Sequence, residues 1–162
     1  MHILMTGGTG LIGTATSAAL HAAGHKLTIL TRRGRPATED ATYVTALQDC
    51  AEPIDAVINL AGAGLADRRW SGAYKRQIVM SRVDLTRELV AWLGKLEHTP
   101  KRLISASAIG YYGAADEQTF AEDGAPGAGF AATLCQFWEN EAASATEYGT
   151  QVTLLRFGVV LA

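Results

Sequence analysis

The strongest chemical signal in the chain is the run Thr6-Gly7-Gly8-Thr9-Gly10-Leu11-Ile12-Gly13. Gly8, Gly10 and Gly13 satisfy G-x-G-x-x-G, while Gly7, Gly10 and Gly13 satisfy the related G-x-x-G-x-x-G spacing of the same loop. The run follows an apolar, strand-like segment and opens a helix-like one, which is the context a dinucleotide fingerprint requires. Early glycines permit a tight turn and close approach of a pyrophosphate to backbone N–H groups, where a helix N-terminus favours negative charge. Gly13 leaves room for the helix against the strand. Gly7, Thr9, Gly10, Leu11, Ile12 and Gly13 are therefore the candidate contacts, and the alternative is a glycine-rich turn that binds nothing. A Walker A loop is excluded because no Gly-Lys-Ser/Thr follows.

About 20 residues beyond the loop an NAD-preferring site offers Asp or Glu to the ribose hydroxyls. This chain reads Thr31-Arg32-Arg33 there. A carboxylate repels a 2′-phosphate, whereas a guanidinium pairs with it through parallel hydrogen bonds, so the reading is NADP(H) over NAD(H). The alternative is solvated surface charge. Asn59-Leu60-Ala61-Gly62 ends an apolar run in small residues, which let a ligand pass at the carboxyl edge of a sheet or simply make a turn. The segment from Arg68 to Gln77 is unusually basic and leads into a helix carrying Ser81 and Arg82; Arg82 reaches a cofactor, an anionic substrate or only solvent. Ser105-Ala106-Ser107-Ala108-Ile109-Gly110-Tyr111-Tyr112-Gly113 ends the fifth strand, on the ligand-binding edge of the sheet. A serine there can polarise a carbonyl and a nearby tyrosine can deliver a proton, unless the serines only bond local backbone.

The elements that must position these residues alternate. Strands are predicted near His2–Thr6, Lys26–Thr31, Thr42–Ala46, Ala56–Leu60, Arg102–Ser105 and Val152–Phe157, and helices near Leu11–Ala23, Ala73–Lys95 and Ala131–Glu147. This order predicts an α/β, doubly wound parallel sheet of Rossmann type. The first helix is expected to turn Leu11, Ile12, Ala15, Ala19 and Ala22 inward and to end at Gly24. Gly34 to Cys50 is expected to hold one strand and no full helix, and Gly110 to Phe130 to be irregular.

Bulk properties narrow the function classes. With 162 residues, 48% of them hydrophobic, one domain spanning 1–162 is expected. Fourteen basic side chains against 16 acidic ones leave no broad attraction for nucleic acid or an anionic membrane, so small molecules or another protein chain are the expected partners. Cys50 and Cys135 are too few for a disulfide framework and lack zinc-site spacing. Without a basic leader or a long apolar run, this reading places the chain in the cytoplasm.

Together the glycine loop, Asn59-Leu60-Ala61-Gly62 and the Ser105–Gly113 run resemble the extended short-chain dehydrogenase/reductase superfamily. Asp67-Arg68-Arg69-Trp70, Ser81-Arg82-Val83, Ser105–Gly113 and Leu155-Arg156-Phe157-Gly158-Val159-Val160-Leu161 are similar to its atypical subfamily labelled nucleoside-diphosphate-sugar epimerase, and the likeness runs through essentially the whole chain. The resemblance implies NADP binding through the glycine loop, Thr31 and Arg32, Leu60 and Ala61, Gln77 and Arg82. Family members often carry Glu at the position of Gln77. In the superfamily a serine works with a Tyr-x-x-x-Lys pair; Ser107 matches the serine, but the matching helix positions read Phe130-Ala131-Ala132-Thr133-Leu134. Tyr111 and Tyr112 are the candidate substitutes for the missing phenol. The family continues beyond Leu155–Leu161 into a C-terminal substrate-binding region, which this reading expects to be absent from 1–162. The function implied is an NADP(H)-binding, oxidoreductase or epimerase-like protein acting on a carbonyl or sugar-nucleotide-type substrate. The alternative is a catalytically silent NADP(H)-binding regulatory or sensor module, and the two long helices imply a homodimer.

Overall fold

A computed structural model describes residues 1–50, 53–114 and 118–161. Six strands, β1 (His2–Thr6), β2 (Lys26–Leu30), β3 (Thr42–Val44), β4 (Ala56–Asn59), β5 (Arg102–Ala108) and β6 (Gln151–Phe157), form one sheet in the order β3-β2-β1-β4-β5-β6. Every pairing is parallel. The chain winds outward from β1 through β2 to β3, then crosses back to β4 beside β1. That reversal opens a crevice at the carboxyl ends of β1 and β4, where sheets of this kind place ligands.

Alternation along the strands sends side chains to two helical layers. Ile3, Met5, Leu27, Ile29, Ala56 and Ile58 pack on one face, with Leu20 of α1 (Leu11–Ala22) against them. Leu4, Val57 and Leu103 pack on the other against Leu89, Val90 and Leu93 of α3 (Leu85–Leu93) and Ala142 of α4 (Phe130–Ala143). Both faces of the central strands are thus covered, which is why they read as nearly continuous apolar runs.

Several expectations are corrected. Helix α1 does not bury Ala15, Ala19 and Ala22, which are exposed along with Leu11; Gly13, Thr16, Ser17 and Leu20 face the sheet instead. The turn packs so tightly on Gly13 that the helix rotates to present that glycine, and the polar Thr16 and Ser17 are accommodated by bonds to the Ile12 carbonyl (2.8 Å) and the Met5 sulfur (3.5 Å). The expected stop at Gly24 is found. Gly24 takes φ +76° while its N–H reaches His21 O and the next N–H reaches Leu20 O, satisfying carbonyls the helix end leaves free.

The long helix predicted over Ala73–Lys95 is α2 (Gly72–Val79), a π-helical segment (Met80–Asp84) and α3 in one continuous rod. Strand β5 runs three residues further than predicted because Ala106, Ser107 and Ala108 pair with Leu155, Arg156 and Phe157 of β6. Ser107 therefore sits inside a strand, not on a loop after it. A 3-10 turn at Ile109–Tyr112 follows, and of the irregular stretch expected between Gly110 and Phe130, residues 115–117 lie outside the described residues. The predicted helix Ala131–Glu147 is α4 followed by a 3-10 turn at Ser144–Tyr148. Among the described residues no helix is long and apolar enough to cross a membrane, and no His/Cys/Asp/Glu group has the makings of a metal site.

Candidate functional site

The glycine loop crosses from β1 to α1 with Gly7 in the left-handed region at φ +70° and Gly10 N donating to Gly7 O at 3.0 Å. Space around it is scarce. A Cβ on Gly7 would stand 2.6 Å from the Leu60 carbonyl carbon, and one on Gly13 would stand 2.2 Å from Gly7 O. Gly10 is freer, its nearest neighbour being Gly7 O at 3.3 Å. The first turn of α1 carries neither an acidic residue nor a side-chain cap, so no side chain of the turn competes for the N–H groups that a helix start leaves free.

A buried polar network ties the ends of β1, β4 and β5 together. Thr6 Oγ1 donates to Asn59 Oδ1 at 2.6 Å and accepts from Ala61 N at 3.2 Å. Asn59 Nδ2 donates to Thr86 Oγ1 (2.8 Å) and Ser105 Oγ (3.1 Å), and Trp138 Nε1 also reaches Thr86 Oγ1 (3.0 Å). These groups bury without loss because each finds a partner. Asn59, Thr86 and Trp138 were not among the predicted site residues; a polar residue at the end of an apolar strand was the available signal.

Beyond β4 the segment Gly62–Trp70 is clamped from α2 and the π segment. Ser81 Oγ accepts from Ala63 N at 2.9 Å, Tyr74 donates to the Gly64 carbonyl at 2.5 Å, and Trp70 Nε1 donates to Leu65 O at 2.8 Å. Arg82 Nη2 donates to Ala63 O at 3.0 Å, and the guanidinium lies 5.4 Å from the Trp138 ring centroid. A side chain on Gly62 would collide with it, a Cβ there falling 2.7 Å from the guanidinium carbon. Burial pushes the Arg82 pKa down, and no carboxylate pairs with it among the described residues. The extra residue of a π turn commonly marks a functional position, and here it holds a partly desolvated, unneutralised cation.

The glycine loop, the end of the β4 connection and Arg82 face one cleft of about 600 Å³, lined by Gly7, Gly10–Gly13, Leu60, Gly62, Arg82, Ser107 and Trp138 among others. Its far wall is β5 and α4. Ser107 Oγ donates to Glu139 Oε1 at 2.5 Å, and Arg156 grips the same carboxylate through Nε (2.8 Å to Oε1) and Nη2 (2.8 Å to Oε2). Cys135, also in the wall, directs its thiol at the Ala108 carbonyl at 3.7 Å, and burial is the main cause raising its pKa. The thiol is therefore neutral at ordinary pH.

The structure does not bring the other predicted catalytic groups here. Tyr111 and Tyr112 are absent from the lining because Arg156 holds both: its guanidinium lies 3.5 Å from the Tyr111 centroid and donates to the Tyr112 hydroxyl at 2.7 Å. Tyr112 in turn donates to Ala121 O at 2.9 Å. At the positions of the missing dyad, Leu134 lines the cleft, while Phe130 packs against Trp70 and beneath the Lys75 ammonium. Thr9 stands exposed at the loop tip and Ala61 contributes only its backbone nearby. Gln77 is exposed on α2 and does not line the cleft. At the end of β2, Thr31 turns the chain by donating to Arg33 O at 2.6 Å, leaving Arg32 and Arg33 exposed with no carboxylate partner among the described residues.

Known proteins share this architecture. The family model described as "NAD dependent epimerase/dehydratase family" matches residues 3–162. The epimerase family protein YfhF of Bacillus subtilis is 38% identical over 99% of this chain and 55% of its own length, and the epimerase family protein Mb2239 of Mycobacterium bovis is 38% identical over 98% and 54%. The chain thus spans about half the length of the curated relatives it matches. The human epimerase family protein SDR39U1 (isoform 2), solved with NADPH, superposes with a TM-score of 0.85 at 31% identity over 99% of this chain and 55% of that one. Since the match takes in the glycine loop, the β4 end and the serine-bearing strand together, the chain belongs to the NAD dependent epimerase/dehydratase family.

Proposed function

We propose that the cleft holds NADP(H) and that the protein is an oxidoreductase or epimerase-like enzyme for a carbonyl or sugar-nucleotide-type substrate. The observation that carries the reading is the cradle at Gly7, Gly10 and Gly13, where added Cβ atoms would fill the space against the helix start or the β4 end. Backbone N–H groups from Gly7 through Gly13, with Thr9, Leu11 and Ile12 at the turn, suit a pyrophosphate. Arg82 supplies a desolvated positive charge in the same cleft, and the Leu60–Gly62 backbone supplies a floor free of bulk. Arg32 and Arg33, exposed beyond β2 with no carboxylate partner among the described residues, suit a 2′-phosphate, and the human relative solved with NADPH supports that choice over NAD(H). Bound nicotinamide supplies hydride exchange with a carbinol or carbonyl carbon, and Ser107 offers the hydroxyl nearest to hand. Titration with NADPH and NADH tests the proposal. Binding of NADPH in preference to NADH is expected; binding of neither, or preference for NADH, overturns it.

A second reading, a silent NADP(H)-binding regulatory or sensor module, is favoured by one observation: Leu134 stands in the cleft wall and Phe130 beside Trp70 at the positions of the Tyr/Lys pair. Turnover of any member of a panel of sugar nucleotides and simple carbonyls, with nicotinamide absorbance as readout, removes it. Exposed Met80 and Phe137 on the long helices support association of two chains, which light scattering would report as a dimer.

A further inference from the structure

The mechanism of the family's usual dyad assigns no work to Glu139, Arg156 or the tyrosines stacked on Arg156. All of them are organised around one hydroxyl. Arg156 is the anchor: three of its nitrogens donate to Glu139, to the Tyr112 hydroxyl and to Glu122 O, and its face lies on Tyr111. A guanidinium has no acceptor, so both Glu139 oxygens receive hydrogens from it in the fork geometry of an arginine–carboxylate pair. A carboxylate only accepts. The hydrogen in the 2.5 Å contact between Glu139 and Ser107 therefore belongs to Ser107. A serine has one hydrogen to give, and here it is spent on Glu139 although the Cys135 sulfur also lies against Ser107; with the Cys135 thiol turned to Ala108 O, what remains to Ser107 is lone-pair capacity.

We propose that Glu139, clamped by Arg156, fixes Ser107 as a hydrogen-bond acceptor, so that the cleft selects a ligand presenting a donor, an alcohol hydroxyl, at that point in preference to a carbonyl. Glu139 is a positioning residue: it acts through Ser107 and sets the polarity of the wall. A ligand carbonyl set against Ser107 faces lone pairs and leaves its own acceptor unmet, while a carbinol hydroxyl completes the chain hydroxyl, Ser107, Glu139, Arg156. Burial of Ser107 and Glu139 keeps bulk water from scrambling that order. The inference names the substrate group for the cleft read above as a substrate site, and it rests on that reading; it does not require the cofactor to be the 2′-phosphorylated one.

The test uses cyclohexanol and cyclohexanone, probes of nearly equal size that differ in the ability to donate. Their affinities for the full chain are measured by ligand-observed NMR, with and without NADPH, for the wild type, Ser107→Ala and Glu139→Gln. The wild type is expected to favour the alcohol by about tenfold, the worth of one satisfied neutral hydrogen bond. Ser107→Ala erases the difference. Glu139→Gln narrows or reverses it, because an amide can keep its oxygen on Arg156 and turn its N–H groups toward Ser107, freeing the serine hydrogen for a carbonyl. A purely structural role for Glu139 would move both probes alike. Equal or better binding of the ketone by wild type, an alcohol preference unchanged in Ser107→Ala or in a folded Glu139→Gln, or binding of neither probe overturns the proposal. Should Glu139→Gln fail to fold by circular dichroism, the wild type and Ser107→Ala still decide it. NADPH titration of the same samples separates the two readings: wild type that discriminates the probes without binding NADPH fails the cofactor reading alone, and wild type that binds NADPH without discriminating fails this one.

Discussion

The two walls of the cleft are built by opposite means. At the end of β1 the chain makes room by omitting side chains, so that backbone N–H groups, with the Thr9 hydroxyl at the tip, are the polar groups the turn offers. At the end of β5 the wall is made of side chains from three elements holding one another: Ser107 on β5, Glu139 on α4 and Arg156 on β6. The first wall is local, the seven residues from Gly7 to Gly13, and has no room for a side chain at Gly7 or Gly13. The second is assembled from positions up to 49 residues apart in sequence and tolerates nothing removed. Geometry protects the one; charge balance protects the other.

The comparison breaks most readily at the second wall. Glu139→Ala leaves the Arg156 charge partly buried and the Ser107 hydrogen unmet, and loss of one partner from such a pair costs about 3–5 kcal/mol. Urea unfolding is expected to show it. Replacing Glu139 and Arg156 together by methionine should recover most of that loss, since the charge then goes with its partner. A double mutant as unstable as Glu139→Ala would mean that the pair is not what holds this wall.

The first wall is tested by adding a single methyl. Gly13→Ala drives a Cβ into Gly7 O and Gly8 Cα, which are backbone and cannot swing away, so a loss near the top of the overpacking range, about 3 kcal/mol, is expected together with loss of NADPH binding. Gly24→Ala serves as the control. That glycine has φ +76° but nothing within 4 Å, so only backbone strain of about 1–2 kcal/mol is expected, with NADPH binding intact. Equal effects at the two glycines would show that strain, and not close approach, governs the loop.

A smaller effect is expected where the proposed site is outside both walls. Arg32→Ala and Arg33→Ala should each weaken NADPH by about tenfold and leave NADH unchanged, the worth of one charged hydrogen bond to an exposed phosphate. Loss of NADH affinity as well would mean that these arginines shape the loop rather than read the phosphate.

The smallest concerns the thiols. Burial, with help from Asp49, raises Cys50 from 9.0 to about 11. The folded form holds this proton more tightly than the unfolded chain, so the stability it contributes is complete below pH 9.0 and is lost as pH rises toward about 11. Cys50→Ala should flatten the stability profile over that interval. Cys135, raised mainly by burial within the cleft wall, should resist thiol reagents at pH 8 until the protein is unfolded. Rapid modification of Cys135 in the native state would show that this wall opens.

Much of the molecule was legible beforehand for the same reason that the first wall is simple. Strand positions follow from apolar runs, the end of α1 from Gly24, and the glycine turn from spacing alone, because each depends on neighbours close in sequence. The inward face of α1 was misread because alanine is tolerated on either face of a helix, while the tight seat of Gly13 fixed the rotation and brought Thr16 and Ser17 inward. The π segment left no periodic trace, since one residue added to a helical rod shifts the pattern by less than a turn. Tyr111 and Tyr112 lie close to Ser107 in sequence, but the 3-10 turn after β5 hands both to Arg156.

By itself, then, the sequence determined a parallel α/β sheet, a glycine turn at the start of its first helix, an arginine pair beyond β2 and the lack of the Tyr/Lys pair, all properties of contiguous residues. The tertiary structure alone decided which polar groups meet. Only folding places Glu139 and Arg156 behind Ser107, leaves Arg82 without a carboxylate partner among the described residues and joins Asn59 to Thr6 and Thr86, because partners drawn from separate strands and helices are selected by the register and packing of a core that no local spacing encodes.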